Sequence, residues 1–182
     1  MKKLLAIILV LLMCFSFVAC EGPSTDSGDS TSNNDNVEVE VPVLSVGETV
    51  KTDTWEITLT KAEFTSAIYP ENPTGTYYYH DAGTKFCNLE FDITNLDTEI
   101  QSFGSAVDNM VLTCGDYVYN GHYYYYDMGG SLSVVILKGY VFGTDPLDTT
   151  HLYAEIDVPE QAASLGGTVE VTIAGTNYKI NI

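Results

Sequence analysis

Apolar side chains recur at every second position along most of this chain, and that spacing limits its fold more than any other feature. Trp55, Ile57 and Leu59 alternate with Glu56, Thr58 and Thr60, while Cys87, Leu89, Phe91 and Ile93 alternate with Asn88, Glu90, Asp92 and Thr94. Met110, Leu112 and Cys114 make a third apolar row, and Leu152, Ala154, Ile156 and Val158 a fourth, stopped by Pro159. Successive side chains of an extended segment point to opposite faces, so a period of two describes strands with one buried and one wet face. Leu132 to Leu137 is apolar except at Ser133, the pattern of a strand buried on both sides. The one helical turn expected lies at Glu160 to Ser164, ended by Gly166-Gly167. The chain is therefore expected to be all-β, an antiparallel β-sandwich of about seven to nine short strands.

Turn residues set the expected registers. Val169, Val171 and Ile173 lead through Ala174-Gly175-Thr176-Asn177 to Tyr178, Ile180 and Ile182. A two-residue loop at Gly175-Thr176 sets Ile173 opposite Tyr178, Val171 opposite Ile180 and Val169 opposite Ile182, all apolar on one face. Two turns compete further upstream. Asn120-Gly121 would stack Tyr117 opposite Tyr124, whereas Gly115-Asp116 would pair Leu112 with Tyr119 and leave the tyrosines after His122 as a loop.

The N-terminus is of another kind. Lys2 and Lys3 precede a run from Leu4 to Val18 with almost no polar side chain, shorter than the ~20 residues of a membrane span. Charged start, apolar run and small residues at the boundary describe a secretory signal. Val18-Ala19-Cys20 resembles the lipobox of bacterial lipoproteins, with Phe17 where that motif usually has Leu. The resemblance implies a signal peptide over 1–19 and a diacylglyceryl group on the Cys20 thiol, and so a partner in the cell membrane, at its extracytoplasmic face. Several acyl chains, at ~0.8 kcal/mol per buried methylene, hold a protein stably on a bilayer. Glu21 to Asn36 contains nothing apolar and is expected to be disordered. The acylated cysteine and flexible acidic linker span 20–44, and the domain 45–182. Val37 to Val43 alternates Val and Glu up to Pro42, which suits either an edge strand or a stiff stalk.

Charge excludes several partners. The chain has 25 Asp plus Glu against 7 lysines and no arginine, a formal net charge of −18, and Lys2 and Lys3 leave with the signal. Phosphate backbones are neutralised by Lys and Arg, so nucleic acid is not an expected partner. Phosphoryl transfer and docking on anionic headgroups by charge are disfavoured for the same reason.

Val46-Gly47-Glu48-Thr49-Val50 followed by Trp55 to Ala62 resembles the opening of an uncharacterised immunoglobulin-like domain common in Firmicutes surface lipoproteins. Phe91-Asp92-Ile93-Thr94-Asn95 resembles its central strand, which ends in Asn before a polar turn, and Val158-Pro159-Glu160 with Gly167 to Val171 fits its close. The resemblance covers Ser45 to Ile182 and implies an immunoglobulin-like sandwich, with no catalytic residues to transfer.

The residues that could carry chemistry are few. Cys87 and Cys114 share the apolar parity of their strands and form either a disulfide, worth ~3.5 kcal/mol on chain entropy, or two free core thiols. His80, His122 and His151 are isolated, with no zinc spacing, and no metal or other cofactor is expected. Ser131 lacks the glycine of a nucleophile elbow, and no catalytic constellation is legible. Asp92, Asn95 and Asp97 lie near one turn without the calcium-loop pattern. The tyrosines stand out, in Tyr77-Tyr78-Tyr79 and in His122-Tyr123-Tyr124-Tyr125-Tyr126. They suit either a ligand-binding surface or cross-strand pairs that stabilise a sheet. The expected function is a non-catalytic binding module for cell-wall glycan or an envelope protein. The alternatives are an accessory subunit of an envelope complex and a calcium-dependent surface module.

Overall fold

The computed structural model describes residues 40–75, 77–79, 82–135 and 143–182. The expected signal peptide, Cys20, most of the expected linker, His80 and the last two residues of the 132–137 run lie outside the described residues.

Two antiparallel sheets carry the fold. The first has six strands in the order β1 (Thr49–Lys51), β2 (Trp55–Thr65), β5 (Thr84–Asn95), β12 (Thr149–Pro159), β9 (Tyr123–Asp127) and β10 (Leu132–Val135). The second has four, ordered β14 (Thr176–Asn181), β13 (Thr168–Ile173), β7 (Val107–Cys114) and β8 (Tyr117–Tyr119). Two ribbons complete it, β3 (Ala67–Ile68) with β4 (Tyr78–Tyr79) and β6 (Gln101–Ser102) with β11 (Gly143–Thr144). The helices α1 (Phe103–Ala106) and α2 (Glu160–Ala163) are single turns. With β2, β5, β12 and β9 as A, B, E and D, and β14, β13 and β7 as G, F and C, the strand order is that of an immunoglobulin sandwich, with β8 as C′.

The apolar rows do what their period requires. Trp55, Ile57, Leu59, Leu89, Phe91, Ile93, Leu152, Ala154 and Ile156 on the first sheet are buried against Met110, Leu112, Val169, Val171, Ile173 and Ile180 on the second. A β-bulge at Thr60 then changes the parity of β2. Leu59 pairs with Phe91 but Lys61 pairs with Glu90, so Ala62 and Phe64 turn to the core and Lys61 to the outer face.

Several registers differ from expectation, each for a physical reason. The last hairpin turns at Ala174-Gly175, pairing Ile173 with Thr176, Val171 with Tyr178 and Val169 with Ile180. Both loop residues have positive φ, +46° and +81°, as a type I′ turn demands, and β-branched Thr176 would suit that conformation poorly. The slip is two residues, so the apolar face is kept. Upstream, the Gly115-Asp116 turn wins and pairs Leu112 with Tyr119, yet the following tyrosines are not a loop: they form β9, between β12 and β10. The apolar run at Leu132 makes an edge strand instead of a doubly buried one, with Val134 exposed. Val43 bridges to Lys179, and Leu44 enters the core.

The 145–148 turn holds Leu147 at φ +63° with its side chain 77% exposed, while its amide donates to Asn95 O at 2.8 Å. Positive φ strains a γ-branched residue that gains nothing from burial here, and Asn tolerates it better. Leu147→Asn is expected to stabilise the fold by roughly 0.5–1 kcal/mol, read as a higher thermal midpoint.

Candidate functional site

The expected wet parity of β5 is buried at Asn88 and Glu90. After β2 the chain leaves the sheet, forms the β3–β4 ribbon and folds over the outer face of the six-stranded sheet. Ile68 and Tyr78 pack on Phe86, Tyr125, Leu132 and Tyr153, a second small core outside the sandwich. Cover from this ribbon buries Asn88, Glu90 and Glu155, all at positions that alternation alone assigns to solvent. The covering arm is fastened at its far end: the amides of Thr74 and Gly75 both donate to Gly130 O at 3.0 Å. Gly130 has φ +95°, and a Cβ there would lie 2.4 Å from Asn72 O, so this fastening needs glycine.

Beside the arm lies an open cleft of about 660 Å³, walled by Tyr69, Pro70 and Glu71 and floored by Lys61, Glu90, Asp92, His151 and Tyr153. A second depression of about 540 Å³ shares Glu71, Thr149 and His151 with it and adds Phe103, Tyr126 and Asp145. The floor is one connected polar network. Lys61 Nζ donates to Glu90 Oε1 at 2.8 Å, and Asn88 Nδ2 donates to the same oxygen at 2.8 Å. His151 reaches Asp92 Oδ1 through Nδ1 at 2.6 Å and Glu90 Oε2 through Nε2 at 3.2 Å, with its ring edge-on to Tyr153.

Burial works against charge on Glu90, but hydrogen bonds from His151, Lys61 and Asn88 outweigh it and hold the carboxyl below its usual range. Burial likewise opposes charge on His151, and the bonds to Glu90 and Asp92 override it, raising the imidazole. Glu90 therefore stabilises the fold fully above its ordinary value of 4.5 and loses that as pH falls through its folded value. His151 does so fully below 6.5 and loses it as pH rises through its folded value. The network is strongest between those limits. An imidazolium donating from both nitrogens has no lone pair left to act as a base.

Further along the same face, Tyr125 Oη donates to Glu155 Oε1 at 2.6 Å and its ring meets Tyr78 at 4.4 Å. Burial, with Asp157 nearby, raises the Glu155 carboxyl to about 7 against the lowering effect of that hydrogen bond.

The residues singled out in the sequence distribute differently from a single binding surface. Tyr77 is exposed, with its ring 5.3 Å from that of Tyr69, and Tyr78 is half-buried on Tyr125. Tyr79 pairs with Ala67 through its backbone. His122 is half-buried with its ring edge toward Tyr124. Tyr123 is exposed, Tyr124 lies in the main core, Tyr125 in the outer small core, and Tyr126 is half-buried against Phe103. Alternation along β9 sends the cluster to both faces, so it is mostly packing surface, and the expected Tyr-rich loop is corrected to a strand. Asp92, Asn95 and Asp97 do not converge either: Asp92 holds His151, Asn95 points inward and Asp97 serves its own turn. Among the described residues no group of three His, Cys, Asp or Glu is placed to hold a metal ion.

Cys87 and Cys114 are free thiols buried between the sheets; burial raises Cys87 well above the usual thiol value and raises Cys114 as well. A thiol-specific reagent is expected to leave the native protein unlabelled and to label both cysteines on unfolding, checked by intact mass.

No protein-family model matches the sequence, and no curated protein matches it. The chain resembles a clostridial β-sandwich. That solved structure, an uncharacterised β-sandwich protein from Clostridium difficile 630, is 20% identical with a TM-score of 0.66, over 79% of this chain and 96% of that one. A conserved hypothetical protein from Bacillus anthracis is 14% identical with a TM-score of 0.49, over 76% of this chain and 94% of that one. The first likeness shows the fold, an antiparallel β-sandwich also found in a Firmicutes protein.

Sequence reasoning missed Lys61, Glu90, His151 and Glu155 as a group. One signal was present: apolar parity changes from odd at Leu59 to even at Ala62 and Phe64, which marks a bulge and an outward Lys61.

Proposed function

We propose that this protein is a membrane-anchored extracytoplasmic lipoprotein whose sandwich is a non-catalytic binding module, with its ligand in the cleft walled by Tyr69–Glu71. The observation that carries the reading is the floor of that cleft, where His151 of β12 is fixed by Glu90 and Asp92 of the neighbouring β5. Asp92 is half-exposed and keeps acceptor capacity beyond His151, and Glu71 adds a free-standing carboxylate at the rim. Fixed acceptors beside a tyrosine ring suit a polyhydroxylated ligand of neutral or positive charge, and wall glycan has that chemistry. Both ring nitrogens of His151 are engaged by carboxylates, which supports a binding role over a catalytic one. Support for the anchor is the Val18-Ala19-Cys20 boundary and the apolar run before it.

The test is retention of the mature chain on insoluble wall glycan. Asp92→Asn with Glu71→Gln is expected to weaken retention about tenfold, the effect of losing one or two charge-assisted hydrogen bonds. Unchanged retention would overturn the cleft as the site. For the anchor, Cys20→Ser is expected to release the protein from the membrane fraction into the medium.

A further inference from the structure

Among the described residues, Asn88 Oδ1 and Glu155 Oε2 are buried on the outer face without a hydrogen-bond partner. They belong to residues directly opposed across β5 and β12, a placement that brings side chains of one face together. Both are acceptors when Glu155 is ionised, and two acceptors cannot bond each other. Rotating the Asn88 amide offers no escape, because its nitrogen already donates to Glu90 Oε1 and the exchange would set oxygen against a carboxylate. A single proton shared between Glu155 Oε2 and Asn88 Oδ1 would satisfy both atoms at once.

We propose that Glu155 is protonated in the closed fold, donating from Oε2 to Asn88 Oδ1, and that loss of this proton releases the β3–β4 ribbon and with it one wall of the cleft. Glu155 holds the ribbon through Tyr125, whose hydroxyl it accepts and whose ring supports Tyr78. The titratable groups around Glu155 are Tyr123 and Tyr125 on β9, Tyr153 and Asp157 on its own strand, Glu90 on β5, Glu63 opposite Asn88 on β2 and Tyr78 on β4. All are neutral or anionic at neutral pH. Lys85 of β5 is turned instead to Ser66 Oγ and Glu160. On the same face Lys61 of β2 is held by Glu90, and His151 of β12 by Glu90 and Asp92, so an ionised Glu155 gains no free cation from these strands, and water reaches it only if the ribbon lifts. Burial of the carboxyl supports this assignment, its titration being moved toward neutrality. Tyr69, Pro70 and Glu71 follow β3 directly, so the ribbon carries the cleft wall with it. The clasp deepens the binding reading by making that wall respond to pH, although the clasp itself needs no ligand.

Amide hydrogen exchange of the mature chain, without ligand, tests the clasp at Ile68 and Tyr78. After correction for intrinsic rates, protection there is expected to fall about tenfold or more from about pH 5.5 to about pH 8.5, and to lie well below that of β13, which opens only with the whole fold. Glu155→Gln keeps a donor toward Asn88 at every pH and is expected to abolish the change. Tyr125→Phe removes a bond that favours the ionised form and is expected to move the midpoint to higher pH. Flat protection in the natural protein, or an unaltered profile in Glu155→Gln, would overturn the clasp. Either result leaves the cleft as a binding site, and failed glycan retention leaves the clasp intact.

Discussion

Glu155→Gln is expected to raise the unfolding free energy by about 2–3 kcal/mol at about pH 8 and to change it little at about pH 4. The folded carboxyl titrates at about 7 and an ordinary one at 4.5, so the folded state binds this proton more tightly than the unfolded chain does. Stability tied to it is intact below 4.5 and is lost as pH rises through 7. Gln has nothing to lose over that interval. Its amide retains an acceptor for Tyr125 and supplies a donor toward Asn88, in a site buried to 2% exposure. Urea unfolding of both proteins across that range checks the difference. The contributions of Glu90 and His151 vary with pH in both proteins alike and cancel. Parallel curves would remove Glu155 from the pH response.

Asn95→Ala is expected to cost about 2–4 kcal/mol, since it unpairs three backbone groups, of which Thr144 O is buried. Asn95 is fully buried; its Nδ2 donates to Glu99 O at 2.8 Å and Thr144 O at 2.9 Å, and its Oδ1 accepts from Asp97 N at 2.9 Å. One side chain thus ties the end of β5 to the following turn and to β11. Asn95→Asp is nearly isosteric but turns two donor contacts into oxygen facing oxygen. It should be at least as harmful as Ala at neutral pH, and recovery of stability by Asp would contradict this geometry. Thermal unfolding of the three proteins decides the order.

Asn95 also shows how far sequence reading reached. Its place at the end of a central strand was visible in Phe91 to Asn95, but its partners come from residues 97, 99 and 144, the last far along the chain. The strand rows were legible because burial of one face imposes a period of two, and the eight strands of four or more residues match the expected seven to nine. Registers were less secure. The slip at Ala174-Gly175 preserves every face, so apolar pattern alone cannot detect it; only the φ demands of the loop distinguish the two pairings.

Sequence by itself determined the period, the all-β class, the anionic balance and the apolar run from Leu4 to Val18, because each follows from residue type and local order. Tertiary structure alone decided the cleft. Asn88, Glu90 and Glu155 read as solvent-facing until the ribbon between β2 and β5 folds back over them, and His151 meets Asp92 only through strand pairing across some 59 residues of chain. Burial turns those polar side chains from solvated charges into groups that must find partners, and which partners they find depends on contacts between distant segments that no local pattern encodes.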